Sequence, residues 1–432
     1  MSTAIRILAA VLAGGVTVAA QAQTTDDTFF PYRKGFPSLP GLTSGTVINK
    51  GNVDKFKDAL DAANYKLIKD GWYEITVSET FDFPNAKGYV EATKQHGGKA
   101  KLGPKVGNLE GYVAGRPFPE EPSTSDPRAG EKVIWNFKYG INWGDNAAIY
   151  PFYWKYKNAK TGNVDRTLKF NFHFLNFTHR TDHQPLPEVT PNSSNLFRAI
   201  YAQVLEPQDL KNTQLLIQKY EDDTKFDDAY LYLGFQRRVR RLAAGQVTDA
   251  FLGSDVMIED FEGYESRVSD YKWSFLGAKN ILMPYYKHND MALTDEHKDP
   301  SGYKFVDFQG KGGCAQKITW QLRKVYELQG EPLNPAHPIG KRLMYLDAQV
   351  YGASRNITYD RKGEIWKTFS IGKAHPDHHL PINKGSGIAL DDSFSMIDMQ
   401  AERCTTGQFK GQIDPKLSPA SMFQVQYMRG GD

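Results

Sequence analysis

Residues 166–180 read RTLKFNFHFLNFTHR, and this stretch decides the fold class. Leu168, Phe170, Phe172 and Phe174 share one parity, while Lys169, Asn171 and His173 share the other. Side chains alternate across a strand, so the stretch is a β-strand that turns three phenylalanines in succession to one side. Such a face needs a deep apolar partner, either packed core or the wall of a cavity.

The same alternation recurs along the chain. TQLLIQKY and AYLYLGF read as strands joined by the acidic turn EDDTKFDD, and WYEITVSETFDF puts Tyr73, Ile75 and Val77 on one face. In KITWQLRKVYELQ, Ile318, Trp320 and Leu322 alternate with Thr319, Gln321 and Arg323; RLMYLDAQVY, RNITYD and EIWKTFSIG continue the series. VIWNFKY and IYPFYWKYK are two aromatic-rich stretches separated by Gly and Asn turn signals. Helical spacing is rarer. NVDKFKDALDAANYKLIKDG carries Val53, Phe56, Leu60, Ala63 and Leu67 at helical intervals, with Asn52 as cap and Gly71 as stop. SSNLFRAIYAQV suits a helix capped by Ser193 or Ser194 that buries Leu196, Phe197, Ile200 and Tyr201, and Asp126-Pro127 resembles a helix start. Many strands, few helices and no βαβ rhythm predict a mainly β (α+β) fold: a large antiparallel, half-open β-barrel covered by a few α-helices.

The chain opens with one positive charge at Arg6, an apolar run over 7–20, and Ala20 and Ala22 in an A-x-A arrangement. This is the pattern of a secretory signal peptide cut after Ala22, and the run is too short and glycine-broken to span a membrane. The expected organisation is a signal peptide over 1–22, an extended Pro- and Gly-rich arm over 23–51, and a single domain over 52–432, exported to a periplasm and not integral to the membrane. Without Arg6 the chain has 52 basic and 50 acidic residues, a balance that offers a nucleic acid no long-range field. Cys314 and Cys404 are the only cysteines. In an oxidising compartment they form either a disulfide or a pair of buried thiols.

Enzyme signatures are sparse. GxSxG, GxxxxGK[ST], HExxH and EF-hand patterns are absent from the sequence. His375, Asp377, His378 and His379 in AHPDHHL, and His179, Asp182 and His183 in HRTDH, have metal-ligand chemistry but lie in loop sequence, where exposed histidines are the plainer reading. QGKGGC lacks the loop-to-helix context of an anion cradle and reads as a flexible connection. Paired carboxylates for glycoside chemistry depend on a separation that sequence does not contain, and the aromatics suit sugar stacking.

Four arginines crowd one short segment: Arg237, Arg238, Arg240 and Arg241. Strand alternation puts Arg238 and Arg240 with Tyr230 and Tyr232, and Arg237 and Arg241 with Leu231, Leu233, Phe235 and Val239. Seven acids follow between Asp249 and Asp270. The expectation is an internal ion-pair seam in which Arg237, Arg238, Arg240 and Arg241 meet Asp255 and Asp260 and fix a closing helix to the barrel wall.

YLYLGFQRRVRRLAAGQVTDAFLGSDVMIEDF, from Tyr230 onward, resembles the strand, RRVRR and FxGSDxxxED segment of outer membrane lipoprotein-sorting-like proteins, which belong with the Lol lipoprotein carriers. INKGNVDKF, YVEATK, GYVAGRPFP, DPRAGEKVIWN, YKWSFLGAKNILMPYY and KRLMYLDAQVYGASRNITYDRKGEIWK resemble, more narrowly, domain of unknown function family 1329, over about residues 47–367. The chain departs from the family at Tyr326-Glu327 and in its His-rich AHPDHH tail. The resemblance implies a curved sheet whose concave face holds an apolar ligand such as an acyl chain. It also implies partners in an outer-membrane channel-like protein and an inner-membrane exporter. The expected function is a non-enzymatic periplasmic carrier or chaperone for a lipid or hydrophobic compound, with no cofactor or metal. Trp135, Trp143, Phe152, Trp154, Phe170, Phe172 and Phe174 are the candidate ligand-binding residues. The alternatives are an envelope adaptor for an exporter and an outer-membrane channel, or a carbohydrate-active or zinc-dependent hydrolase.

Overall fold

The computed structural model describes residues 25–243 and 247–429. The expected signal peptide and its cleavage point lie outside the described residues. One sheet takes sixteen strands. In chain order these are β1 (Val47–Ile48), β2 (Ile75–Ser78), β3 (Asn146–Asn158), β4 (Val164–Asn176), β5 (Leu196–Glu206), β6 (Gln214–Tyr220), β7 (Asp228–Leu233) and β8 (Arg238–Arg241). The second half contributes β9 (Tyr271–Met283), β10 (Tyr285–Tyr286), β11 (Thr319–Pro332), β12 (Lys341–Asp347), β13 (Arg355–Tyr359), β14 (Ile365–Ala374), β15 (Leu390–Asp398) and β16 (Arg403–Gln412).

From one edge to the other the order is β9, β11, β12, β13, β14, β15, β16, β3, β4, β5, β6, β7, β8. All of these neighbours are antiparallel. Strand β2, which pairs antiparallel with β1, joins β11 in parallel, and β10 joins β14 in parallel. The first and last strands do not pair with each other, so the barrel is half-open, with β9 and β8 as its two edges.

Among the described residues there are three α-helices, α1 (Ala62–Lys69), α2 (Lys87–His96) and α3 (Ala129–Lys138), of which α3 packs on β9 and β11. The 52–71 segment is not one helix. A 3-10 turn over Val53–Ala59 ends at Leu60, and α1 starts afresh with Asp61, whose carboxylate accepts the backbone N–H groups of Ala63 and Asn64. Asn52 makes no cap bond to the turn that follows it. The predicted helix in SSNLFRAIYAQV is instead strand β5. Ile200, Ala202 and Val204 enter the main core while Ala199 and Tyr201 enter a second cluster with Phe423 and Met428. Burial on both faces erases the polar half of the two-residue period, leaving a run that helical spacing fits equally well. VIWNFKY is the body of α3. The described part of the 23–51 arm is anchored rather than extended, since Phe29 and Tyr32 are buried and β1 joins the sheet.

Cys314 and Cys404 form a disulfide that closes a separation of 90 residues and ties the loop before β11 to β16. The glycines of QGKGGC are packing positions beside it, not a flexible link. A Cβ on Gly312 would lie 2.6 Å from Ala159 Cα, and one on Gly310 2.4 Å from the Trp72 carbonyl oxygen. Replacing both cysteines by serine is expected to lower unfolding free energy by ~2–4 kcal/mol in urea titrations, below the ~4–5 kcal/mol that loop closure alone sets for this length.

Candidate functional site

The inner face of the sheet is the one on which α3 and the connection between β8 and β9 lie. Its centre is aromatic: Phe152 and Trp154 from β3, Phe170 and Phe172 from β4, Phe394 from β15 and Phe409 from β16. The chain fills this space itself. The segment 251–265 (FLGSDVMIEDFEGYE) crosses the inner face as two 3-10 turns and presses Phe251 and Phe261 into the cluster, with Phe261 at ring-centroid distances of 6.2 Å from Trp154 and 5.8 Å from Phe172. About 40 Å³ of free space remains among these rings. That is room for a water molecule, not for an acyl chain. Six of the seven expected ligand-binding residues, Trp143, Phe152, Trp154, Phe170, Phe172 and Phe174, therefore come together, but around the protein's own plug. Trp135 does not join them. It sits on α3 in a separate cluster with Tyr139, Tyr271 and Trp273.

The plug is held by charge. Arg198 Nη2 of β5 meets Glu262 Oε1 at 2.7 Å, and Lys219 Nζ of β6 meets Glu265 Oε1 at 3.2 Å. Arg342 of β12 pairs with Glu259, and its Nη1 lies 3.5 Å from Asp260 Oδ1. Lys367 of β14 donates to the Asp255 carbonyl at 2.6 Å, and Thr405 of β16 donates to the Asp255 carboxylate at 2.9 Å. The expected seam is thus corrected. Asp255 and Asp260 face inward to Thr405, Lys367 and Arg342, whereas Arg237, Arg238, Arg240 and Arg241 are all exposed. Of these four only Arg241 has a carboxylate partner among the described residues, Asp228 of the neighbouring strand. The faces also differ from the expectation. The hairpin register pairs Arg238 with Leu233 and Arg240 with Leu231, so these share one face, while Val239 and Arg241 share the other with Tyr232 and Tyr230. The intervening turn breaks the parity on which simple alternation relies.

Sequence carried a signal for the true partners. Arg198 continues the inward parity of Ile200, Ala202 and Val204, Lys219 that of Leu215 and Ile217, and Lys367 that of Phe369 and Ile371. A basic residue in register with an apolar strand face marks a buried counter-ion.

Burial pushes the Glu262 carboxyl up to about 7 against the pull of Arg198, with Glu265 and Asp391 adding to the rise. A carboxyl raised in this way contributes stability fully below its ordinary value of 4.5, and that contribution is lost as pH rises through about 7. The wild type is expected to lose ~1–3 kcal/mol more unfolding free energy between pH 5 and pH 8 than Glu262→Gln does. Chemical denaturation at the two pH values measures the difference.

Where the plug meets the gap between the sheet's edges, a cleft of about 700 Å³ opens. Its floor is apolar, from Ile217 of β6, Ala229 of β7, Leu242 and Ile258. Ile217, Ala229 and Ile258 also belong to the main core, so the cleft is continuous with the inner face. The titratable groups at its wall are already engaged: Glu259 accepts from Tyr271 at 3.0 Å and bonds His337 Nε2 at 3.2 Å, and Glu265 holds Lys219. A second, wider hollow of about 980 Å³ has Tyr112, Trp135, Tyr139 and His179 on its wall. Two of its acids are bonded, Glu221 to His179 Nε2 at 2.6 Å and Asp223 to Lys138 at 2.6 Å.

The two histidine clusters do not converge on one ligand point. His179 bonds Glu221, Asp182 accepts the Gly88 N–H, and His375 packs on Phe83 while keeping ring contact with His378 at 5.1 Å. His379, expected to be exposed, is buried with His288 and Asp392, and their ligand atoms lie within 4.8 Å of one another. The donor set argues for protons rather than a metal. Asn383 Oδ1 accepts the Ile413 N–H at 2.9 Å and its amide nitrogen donates to the Gly411 carbonyl at 2.9 Å, which fixes the amide's orientation. The same nitrogen faces His379 Nδ1 at 2.9 Å, so Nδ1 accepts and the proton sits on Nε2, where it points at Asp392 and Tyr303. A metal at Nε2 would reverse that tautomer and set two donors against each other. For His288, burial opposes the charged form but the Asp392 carboxylate outweighs it, and its pKa is raised.

The family described as "Protein of unknown function (DUF1329)" matches residues 47–429, including the His-rich tail. No curated protein matches significantly. Among solved structures, a DUF1329 family protein from Desulfovibrio piger is 15% identical with a TM-score of 0.48, covering 70% of this chain and 99% of its own. A domain from Vibrio parahaemolyticus described as an outer membrane lipoprotein-sorting protein is 16% identical with a TM-score of 0.47, covering 71% and 100%. A LolA superfamily protein from Nitrosomonas europaea is 11% identical with a TM-score of 0.37, covering 66% and 91%. No helix among the described residues is long and apolar enough to cross a membrane.

Proposed function

The chain belongs to the DUF1329 family of proteins of unknown function, and on that premise we propose that it is a non-enzymatic carrier or chaperone of the periplasm for a lipid or other hydrophobic compound. The observation that carries this reading is the cleft at the unpaired edges of the half-barrel. Its volume of about 700 Å³ falls in the range of small-molecule sites, and its floor of Ile217, Ala229, Leu242 and Ile258 is apolar. Each methylene buried there contributes ~0.8 kcal/mol, so an acyl chain is held without directed polar contacts. The engagement of Glu259 with Arg342, and of Glu265 with Lys219, favours a binding role over acid–base chemistry at this wall. The aromatic cluster behind the plug is the deeper part of the same face, reached only when residues 251–265 give way.

The test is solvent extraction of the full chain purified from its native periplasm, followed by mass spectrometry. A stoichiometric apolar molecule is expected, with its amount falling severalfold in Ile258→Asn or Leu242→Asn. Extracts that hold no such molecule, or the same amount in both variants, would overturn the reading.

A further inference from the structure

The arginine hairpin is left without the role expected of it. Strand β8 is the last of the sheet and pairs only with β7, and the turn between them holds Arg237 at φ 49°. At this turn Phe235 is 75% exposed, more than any other large hydrophobic side chain described. Around it Arg237, Arg238, Arg240 and Arg241 are exposed. Arg241 pairs with Asp228, and Arg240 donates to the Gln236 side-chain oxygen at 2.7 Å. Among the described residues no carboxylate lies within ion-pair reach of Arg237, Arg238 or Arg240.

The adjoining β5–β6 turn adds to the charge. Its backbone touches the hairpin, since a Cβ on Gly234 would lie 2.9 Å from the Lys211 carbonyl oxygen, and Lys211 is exposed. Its acids are neutralised locally, Glu206 by Lys169 and Asp209 by Arg166. In a chain of net charge +3, this one end of the sheet therefore concentrates four unpaired cations. Charges on an edge strand do guard against strand-to-strand association. That role does not account for Phe235, because an apolar tip works against it.

We propose that the β7–β8 hairpin docks the protein on the surface of an anionic lipid bilayer. Phe235 enters the boundary between headgroups and acyl chains, while Arg237, Arg238, Arg240 and Lys211 lie at the level of the lipid phosphates. One aromatic ring alone gives only weak, reversible attachment; each cation near an anionic surface adds roughly fivefold, so the two signals act together. Ala229, at the base of the same hairpin, lines the cleft. Six residues of strand separate it from the tip, about 20 Å, which holds the cleft beside the membrane. Docking stands independently of whether the cleft carries cargo.

Flotation of the full chain with vesicles tests it, using phosphatidylcholine alone or with about a third phosphatidylglycerol, at low and high salt. The wild type is expected to float with the anionic vesicles at low salt and to lose them at high salt, because the Debye length shrinks to about 3 Å at 1 M. Arg237→Gln, Arg238→Gln and Arg240→Gln combined should weaken partitioning about 100-fold, and Phe235→Ser severalfold. A control of equal charge, Lys34→Gln, Lys55→Gln and Lys362→Gln combined, should change it less than threefold. Thermal melts show that each variant is folded. Equal binding to neutral vesicles, or equal losses in the control, would overturn the proposal. So would absence of binding to anionic vesicles, which would leave the hairpin to an acidic protein partner.

Discussion

Arg342→Met is expected to lower the unfolding free energy by ~3–5 kcal/mol, because it leaves buried carboxylates without their counter-ion. Arg342 is 0% exposed, and Glu259 and Asp260, which it holds, are 2% and 3% exposed. Its guanidinium also lies 5.0 Å from the Tyr264 ring and 5.3 Å from the Tyr271 ring, so the loss includes packing. Urea titration followed by tryptophan fluorescence measures the cost. Adding Glu259→Gln to Arg342→Met should recover part of it, since one uncompensated charge is then removed. A loss below ~1 kcal/mol in the single variant would mean that water reaches the pair and that the plug is not fixed by it.

Phe261→Ala should cost a similar ~3–5 kcal/mol, for a different reason. Phe261 is 7% exposed and fills the space between Trp154, Phe172 and Phe251. Removing the ring joins a side-chain-sized void to the existing space of about 40 Å³. The walls are aromatic and aliphatic, and an apolar cavity on the order of 150 Å³ stays dry and takes up benzene. The variant is therefore expected to bind benzene saturably, measured by the rise in melting temperature with ligand concentration, while the wild type does not. The paired outcome matters: destabilisation without uptake would mean that the plug collapses into the void, and that the aromatic cluster serves only as core.

Both expectations concern a segment that is conspicuous in the sequence but whose partners lie far from it along the chain. The acids after FLGSD lie close in sequence to the arginines of QRRVRR, and proximity along the chain favoured pairing them. The chain instead turns inward between the two groups, so the acids reach Arg198, Lys219 and Arg342 on strands far away in sequence. The histidines show the same limit. His379 comes from the AHPDHHL loop, but its companions His288 and Asp392 are distant, and the Asn383 contacts that set its tautomer are non-local as well.

Alternation in RTLKFNFHFLNFTHR and its counterparts determined a mainly β fold and predicted that Phe170, Phe172 and Phe174 share a face. Those are local facts: a strand's period and a residue's polarity need no knowledge of the rest of the chain. The same locality marked a helix start at Asp126-Pro127, just before α3, but read the body of α3 as an aromatic stretch and took β5 for a helix, because a strand buried on both faces has lost its polar half. Only the tertiary structure decided that the shared aromatic face is filled by residues 251–265, that Cys314 and Cys404 pair, and that the arginines of β8 face solvent. Each depends on which distant strands become neighbours and where the sheet stops. Closure is a property of the whole sheet, and the cleft exists because its first and last strands do not meet.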